Sequence, residues 1–96
     1  MEKIKSLLNN PKVSIIDVRN TWEYQLDSIE GAINIPLGEV ASRIDEIKLL
    51  PKPIIIHCLS GGRSAAAVKL LIKSGIEEVY NGGGIEMMKN LIYEKV

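Results

Sequence analysis

One stretch limits what this chain can fold into. Pro53-Ile54-Ile55-Ile56-His57-Cys58 is a short, β-branched apolar run, and Ala65-Ala66-Ala67-Val68-Lys69-Leu70-Leu71-Ile72 is a helix-forming run. Only six residues, Leu59-Ser60-Gly61-Gly62-Arg63-Ser64, separate them. The triple isoleucine predicts a strand buried on both faces, as in the interior of a parallel sheet. The alanine run predicts a helix starting near Arg63 or Ser64, reaching Ser74, and capped by Gly75 in the left-handed position beyond its end.

A strand, a glycine-containing loop and a helix start, in that order, form a cradle for an anion. The first N–H groups of a helix have no partner inside it and point out of its positive end. Gly61 and Gly62 allow the amides before that end to turn inward as a nest. Cys58, the only cysteine of the chain, stands at the rim of this cradle. Its thiol is expected to lose its proton more readily there, giving the nucleophilic thiolate. A buried core cysteine is the alternative, and the two glycines and the Arg-Ser pair after it favour the nucleophile.

Composition narrows the field of partners. Twelve basic and twelve acidic residues leave a formal charge of zero, so no overall field draws the chain to nucleic acid or to an anionic membrane. Attraction for an anion must be local. No apolar run approaches the roughly 20 residues that span a bilayer, and the N-terminal ten residues lack the apolar core of a signal peptide. A cytoplasmic location is the expectation, with a periplasmic mature form as the other case. One cysteine excludes an internal disulfide and any cysteine-built zinc or iron–sulfur site. Sulfur placed on that thiol has no resolving partner in the chain and must leave to another molecule.

The remaining pattern alternates strands and helices. Ile4, Leu7 and Leu8 predict a short amphipathic helix, and Val13–Val18 a central strand. Asn20 and Glu23 have the spacing of a capping box for a short helix, in which Trp22 and Tyr24 are expected to pack. Gly31–Pro36 predicts a short strand, and Glu39–Leu49 one helix with Val40, Ile44 and Ile47 inward and its charges in water. Ile76–Tyr80 predicts a further strand, Asn81–Gly84 a glycine-rich turn, and Ile85, Met88, Leu91 and Ile92 the apolar face of a last helix, its methionines filling core. The pattern implies an α/β fold, one domain over residues 1–96 with a core from about 3 to 92, and a parallel sheet with helices on both faces. Ligands of such sheets bind beyond the carboxyl ends of the strands. Asp17-Val18-Arg19, the Cys58–Arg63 cradle and Gly82–Gly84 all fall at that edge.

Ile16-Asp17-Val18-Arg19 with Glu23-Tyr24, Gly31-Ala32-Ile33-Asn34-Ile35-Pro36-Leu37, Cys58 to Arg63-Ser64, and Gly83-Gly84 resemble, in this order, the single-domain rhodaneses. The small phage-shock-type thiosulfate sulfurtransferases are the nearest in pattern. The resemblance implies a rhodanese-like domain in which Cys58 takes a sulfane sulfur and holds it as a persulfide. It implies that Leu59, Ser60, Gly61, Gly62 and Arg63 line the loop around that sulfur, that Ser64 begins the helix, and that Asp17 and Arg19 form an ion pair beside the site. The chain departs from the family pattern at Asp27-Ser28-Ile29-Glu30, where many members have Gly-His-Ile, and at Met88, where a Trp is frequent. His57, the sole imidazole, is expected to point away from Cys58 on an alternating strand rather than to act as its base.

The expected donor is a small anion such as thiosulfate, or a persulfide, and the expected acceptor is cyanide, a small thiol or a protein thiol. The chemistry calls for no metal and no organic cofactor. Two other classes stay in view. His-Cys and Arg-Ser resemble the loop of cysteine phosphatases, but four residues rather than five separate Cys58 from Arg63, and no Asp general acid stands out. A rhodanese-like module that docks a partner or senses oxidation without transferring sulfur is the other.

Overall fold

The computed structural model describes residues 2–93. Its centre is the triple isoleucine. Strand β3 (Ile54–Cys58) is buried along its whole length. It pairs in parallel with β1 (Ser14–Asp17) on one side and β4 (Val79–Gly84) on the other, and β2 (Ile33–Asn34) adds to the outer edge of β1, giving the order β2-β1-β3-β4. The register sets Asp17 beside His57 and Cys58 beside Gly84, so all functional strand ends reach the same edge.

Alternation along β3 divides the interior in two. Ile54, Ile56 and Cys58 face one layer, built with Val40, Ile47, Ala67 and Leu71 from α3 (Leu37–Val40), α4 (Ile44–Lys48) and α5 (Gly62–Lys73). Ile55 faces the other, with Ile4 of α1 (Glu2–Leu8) and Ile85 and Met88 of α6 (Ile85–Tyr93). The chain is therefore an α/β domain with a parallel sheet covered on both faces. Each fully buried Ile or Leu contributes roughly 1.5–3 kcal/mol by leaving water. None of the helices among the described residues is long and apolar enough to cross a membrane.

Four local expectations need correction. The helix expected over Glu39–Leu49 is α3, a 3₁₀ turn at Ala41–Arg43, and α4. The Ser42 hydroxyl bonds the Glu39 carbonyl (3.0 Å), and Arg43 leaves helical geometry (φ −119°, ψ 23°) while reaching Glu39 and Glu46. The strand expected at Ile76–Tyr80 starts only at Val79, because Glu78 takes a left-handed turn (φ 57°). The glycines read as a turn continue that strand, and Gly82 is the extra residue of a bulge opposite Ile56 and His57. Glycine fits there without disturbance, since a Cβ would lie 2.7 Å from both Ile55 Cγ2 and Met88 Sδ and these buried side chains would have to shift. Finally, Trp22 does not pack. On α2 (Thr21–Leu26) it is 62% exposed, while Tyr24 turns inward and its hydroxyl bonds the Ala32 carbonyl at 2.6 Å.

Several expectations hold with small shifts at their ends. Helix α1 covers Ile4, Leu7 and Leu8, Gly75 ends α5 with φ 90°, and α5 begins at Gly62, one residue earlier than expected. Pairing of Gly31–Pro36 is limited to Ile33–Asn34. Glu23 also makes its half of the capping box, accepting the Asn20 N–H at 2.9 Å.

Candidate active site

The loop after β3 closes over its own cysteine. Gly61 adopts φ 103°, which only glycine takes without strain, and this turn aims its N–H at Cys58 Sγ (3.0 Å). In the first turn of α5, the Ser64 N–H lies 3.4 Å and the Ser64 hydroxyl 3.5 Å from the same sulfur. Cys58 is 1% exposed, and burial pushes its thiol up; the hydrogen bonds of Ser64, whose hydroxyl lowers the pKa when its proton turns to sulfur, and of the Ser64, Gly61 and Ser60 amides outweigh this and leave the pKa below the ordinary cysteine value. Leu59 stands exposed on the rim.

Arg63 does not point freely into the cradle. Its guanidinium holds the Glu23 carboxylate through Nη1–Oε1 (2.8 Å) and Nη2–Oε2 (3.2 Å). The hydrogen bond to Arg63 first, and the Asn20 N–H beside it, hold Glu23 down to about 2, so the pair is fully ionised near neutrality. Arg63 is raised in turn by Glu23. Sequence spacing could not reveal this partner, which lies 40 positions away and reads locally as a capping residue.

Asp17 and Arg19 form a buried fork beneath the loop. Arg19 Nε and Nη2 donate to the Asp17 carboxylate at 3.0 and 2.7 Å, the Arg19 backbone N–H at 2.9 Å, and Nη2 also reaches the Asp27 carbonyl at 2.6 Å. The hydrogen bond to Asp17 raises Arg19 further. Removing one partner of so buried a pair costs about 3–5 kcal/mol, which suits a structural brace. His57 lies in the same layer, fully buried, with Nε2 3.8 Å from Asp17 Oδ2 and Nδ1 3.3 Å from its neighbour's carbonyl. It makes no hydrogen bond to the Cys58 thiol, and burial lowers its pKa, keeping the ring neutral.

The fourth wall comes from β4. Asn81 Oδ1 accepts the Ser64 hydroxyl at 2.6 Å and the Gly83 N–H at 2.9 Å, and its amide donates to the Gly61 carbonyl at 3.3 Å. Gly84 lies against the Leu59 carbonyl. Asn81 was absent from the sequence-based candidates; its signal was a polar side chain directly after the strand expected at Ile76–Tyr80, masked by the glycines after it. Among the described residues no group of three or more His, Cys, Asp or Glu is placed to hold a metal ion.

Residues 1–90 match the rhodanese-like domain. The chain belongs to the rhodanese-like family. Within it the chain is 38% identical over 72 residues to the thiosulfate sulfurtransferase PspE of Escherichia coli, covering 74% of this chain and 69% of PspE. It is 40% identical over 70 residues to the uncharacterized protein YqhL of Bacillus subtilis, covering 73% of this chain and 55% of YqhL. This rhodanese-like chain thus spans just over half the length of that relative. A solved rhodanese with anions from E. coli superposes with a TM-score of 0.71 at 36% identity, over 78% of this chain and 89% of that one. The rhodanese-like domain therefore has sulfurtransferases among its relatives.

Proposed function

We propose that this chain is a sulfurtransferase that moves a sulfane sulfur from thiosulfate or a persulfide donor through Cys58 to cyanide or a thiol, a protein thiol included. The observation that carries it is the cysteine sulfur held under the inward N–H groups of Gly61 and Ser64. In the first step the Cys58 thiolate attacks the outer sulfur of thiosulfate. The S–S bond of the donor breaks and sulfite departs with the electron pair, so one thiolate and one dianion give one persulfide anion and one dianion. No proton is transferred, which agrees with a His57 whose Nδ1 faces the Cys58 carbonyl oxygen. The amides that met the thiolate then stabilise the charge, now on the outer sulfur. In the second step an acceptor takes that outer sulfur and the Cys58 thiolate returns.

The Glu23–Arg63 pair changes how Arg63 enters this scheme. An anionic donor meets a guanidinium already neutralised by a carboxylate, so amide placement carries most of the anion stabilisation. The test is intact mass after incubation with thiosulfate or a persulfide donor, beside Cys58→Ala and Cys58→Ser. Gain of one sulfur atom by the natural chain alone, removed by cyanide as thiocyanate appears, is the expected result. Failure to load from either donor would refute the proposal.

A further inference from the structure

The Ser64 hydroxyl has one proton and three acceptors in reach: Asn81 Oδ1 at 2.6 Å, the Gly61 carbonyl at 3.1 Å and Cys58 Sγ at 3.5 Å. The amide of Asn81 has only one orientation that suits its neighbours. Oδ1 meets the Gly83 N–H, which can only donate, and Nδ2 meets the Gly61 carbonyl, which can only accept. Turning the amide over would set donor against donor and acceptor against acceptor. Oδ1 therefore faces Ser64, and because it cannot donate, the Ser64 proton must point at Asn81.

That leaves a lone pair of Ser64 Oγ facing Cys58. A protonated thiol can donate S–H to it, whereas a thiolate meets only lone pairs. To stabilise the thiolate, Ser64 must turn its proton from Asn81 to sulfur. We infer that Asn81 is a positioning residue for the nucleophile: by holding the Ser64 proton it favours the thiol form of Cys58, and it competes with the thiolate for a hydrogen bond. On the sulfurtransferase reading, on which this consequence rests, loading moves the charge to the outer sulfur. Ser64 is then free to return to Asn81, so the same contact resists ionisation of the empty cysteine and favours the loaded one.

The titratable groups beside the thiol are Asp17 at the end of β1, Arg19 after it, Glu23 on α2, His57 on β3 and Arg63 on α5. The two carboxylates are each paired with an arginine, burial disfavours the charged form of His57, and none of these pairings runs through Asn81.

The experiment is thiolate absorbance against pH on the full chain with no sulfur donor present. Asn81→Leu, close to Asn in size and without an acceptor, should lower the ionisation midpoint by about 0.5 to 1 pH unit, because a hydrogen bond now goes to a charged rather than a neutral acceptor. The thiolate fraction well below the midpoint then rises roughly three- to tenfold. Asn81→Asp, which grips the proton harder, should raise the midpoint. In the Ser64→Ala background Asn81→Leu should move nothing, and the Asp effect should shrink. General disruption of the loop would raise the midpoint in every variant, the opposite sign for Leu. An unchanged or raised midpoint in Asn81→Leu, or a shift that survives without Ser64, overturns the inference. If the Leu variant fails to fold, an Asp variant whose effect is the same with and without Ser64 overturns it equally. A chain showing the expected pattern yet never taking up sulfur would refute the sulfurtransferase and leave the role of Asn81 standing.

Discussion

Gly84 and Gly62 make an informative pair, because only one belongs to the loop that resembles a catalytic motif. Gly62 opens α5, and a Cβ added there would meet nothing within 4 Å. Gly62→Ala should therefore leave the fold intact, and a better helix former at that position should stabilise it by up to about 1 kcal/mol. Gly84 lies in another strand, at a backbone angle open to any residue. A Cβ there would run into the Leu59 carbonyl oxygen and lie 3.2 Å from its carbon and 3.3 Å from Ser60 Cα. The obstacle is backbone, so no side chain can swing aside. The loop must retreat by roughly 0.5–1 Å, since unstrained carbon contacts lie near 3.5–4.0 Å. Overpacking of this kind costs about 1–3 kcal/mol, and a displacement near 1 Å can cost about a hundredfold in rate. Urea melts report the first quantity; the rate of persulfide formation, or of thiol alkylation as a donor-independent check, reports the second. Gly84→Ala should be destabilised and slow in both reactions. A Gly84→Ala variant with the natural stability and alkylation rate would show that the loop is not braced against β4.

Three further outcomes follow from the interior and its charges. Met88 is fully buried against Ile55 and Gly82, so Met88→Ala should lose about 2–5 kcal/mol in a thermal or urea melt; a loss below 1 kcal/mol would mean the cavity collapses. The Glu23 pKa is held at about 2 against an unfolded value near 4.5, so the stability it contributes is present above pH 4.5 and drains away as pH falls toward 2. In Glu23→Gln the acid limb of the stability curve over that window should be flatter, and an unchanged limb would refute the pairing. His57 shifts the other way for a base: burial disfavours its charged form, so folding loses stability as pH drops below the ordinary histidine value of about 6.5. Its ring resonances should therefore titrate with a midpoint below that of an exposed imidazole, and a midpoint at or above the ordinary value would refute the burial argument.

Much of the architecture could be read from periodicity because the isoleucines of β3 and the alanines of α5 state their environment locally. The shared edge of Asp17, Cys58 and Gly84 followed from the parallel order alone. What escaped depended on tertiary placement. Gly82–Gly84 look like a turn by composition, yet a bulge against Ile55 and Met88 needs glycines in a strand. Trp22 looks like core by hydrophobicity, yet its neighbour Glu23 is committed to Arg63 and Tyr24 to Ala32, which leaves Trp22 in water. Glu23 and Asn81 each have a sufficient local explanation, a cap and a turn, and so their second role at the site carried no separate signal.

The parting of the cradle between neighbouring and distant residues bears on how the protein is made. The amides that meet Cys58 lie within six positions of it, but Asn81 and Gly84, which hold Ser64 and the loop in place, follow about twenty positions later. Long-range strand pairing forms late compared with local turns. A nascent chain that has emerged only as far as α5 thus carries a cysteine whose loop is not yet braced and whose Ser64 proton is not yet held by Asn81. Docking of β4 therefore completes the sheet and fixes the loop around Cys58 in one event, so the thiol reaches its final hydrogen bonding only when the fold is finished.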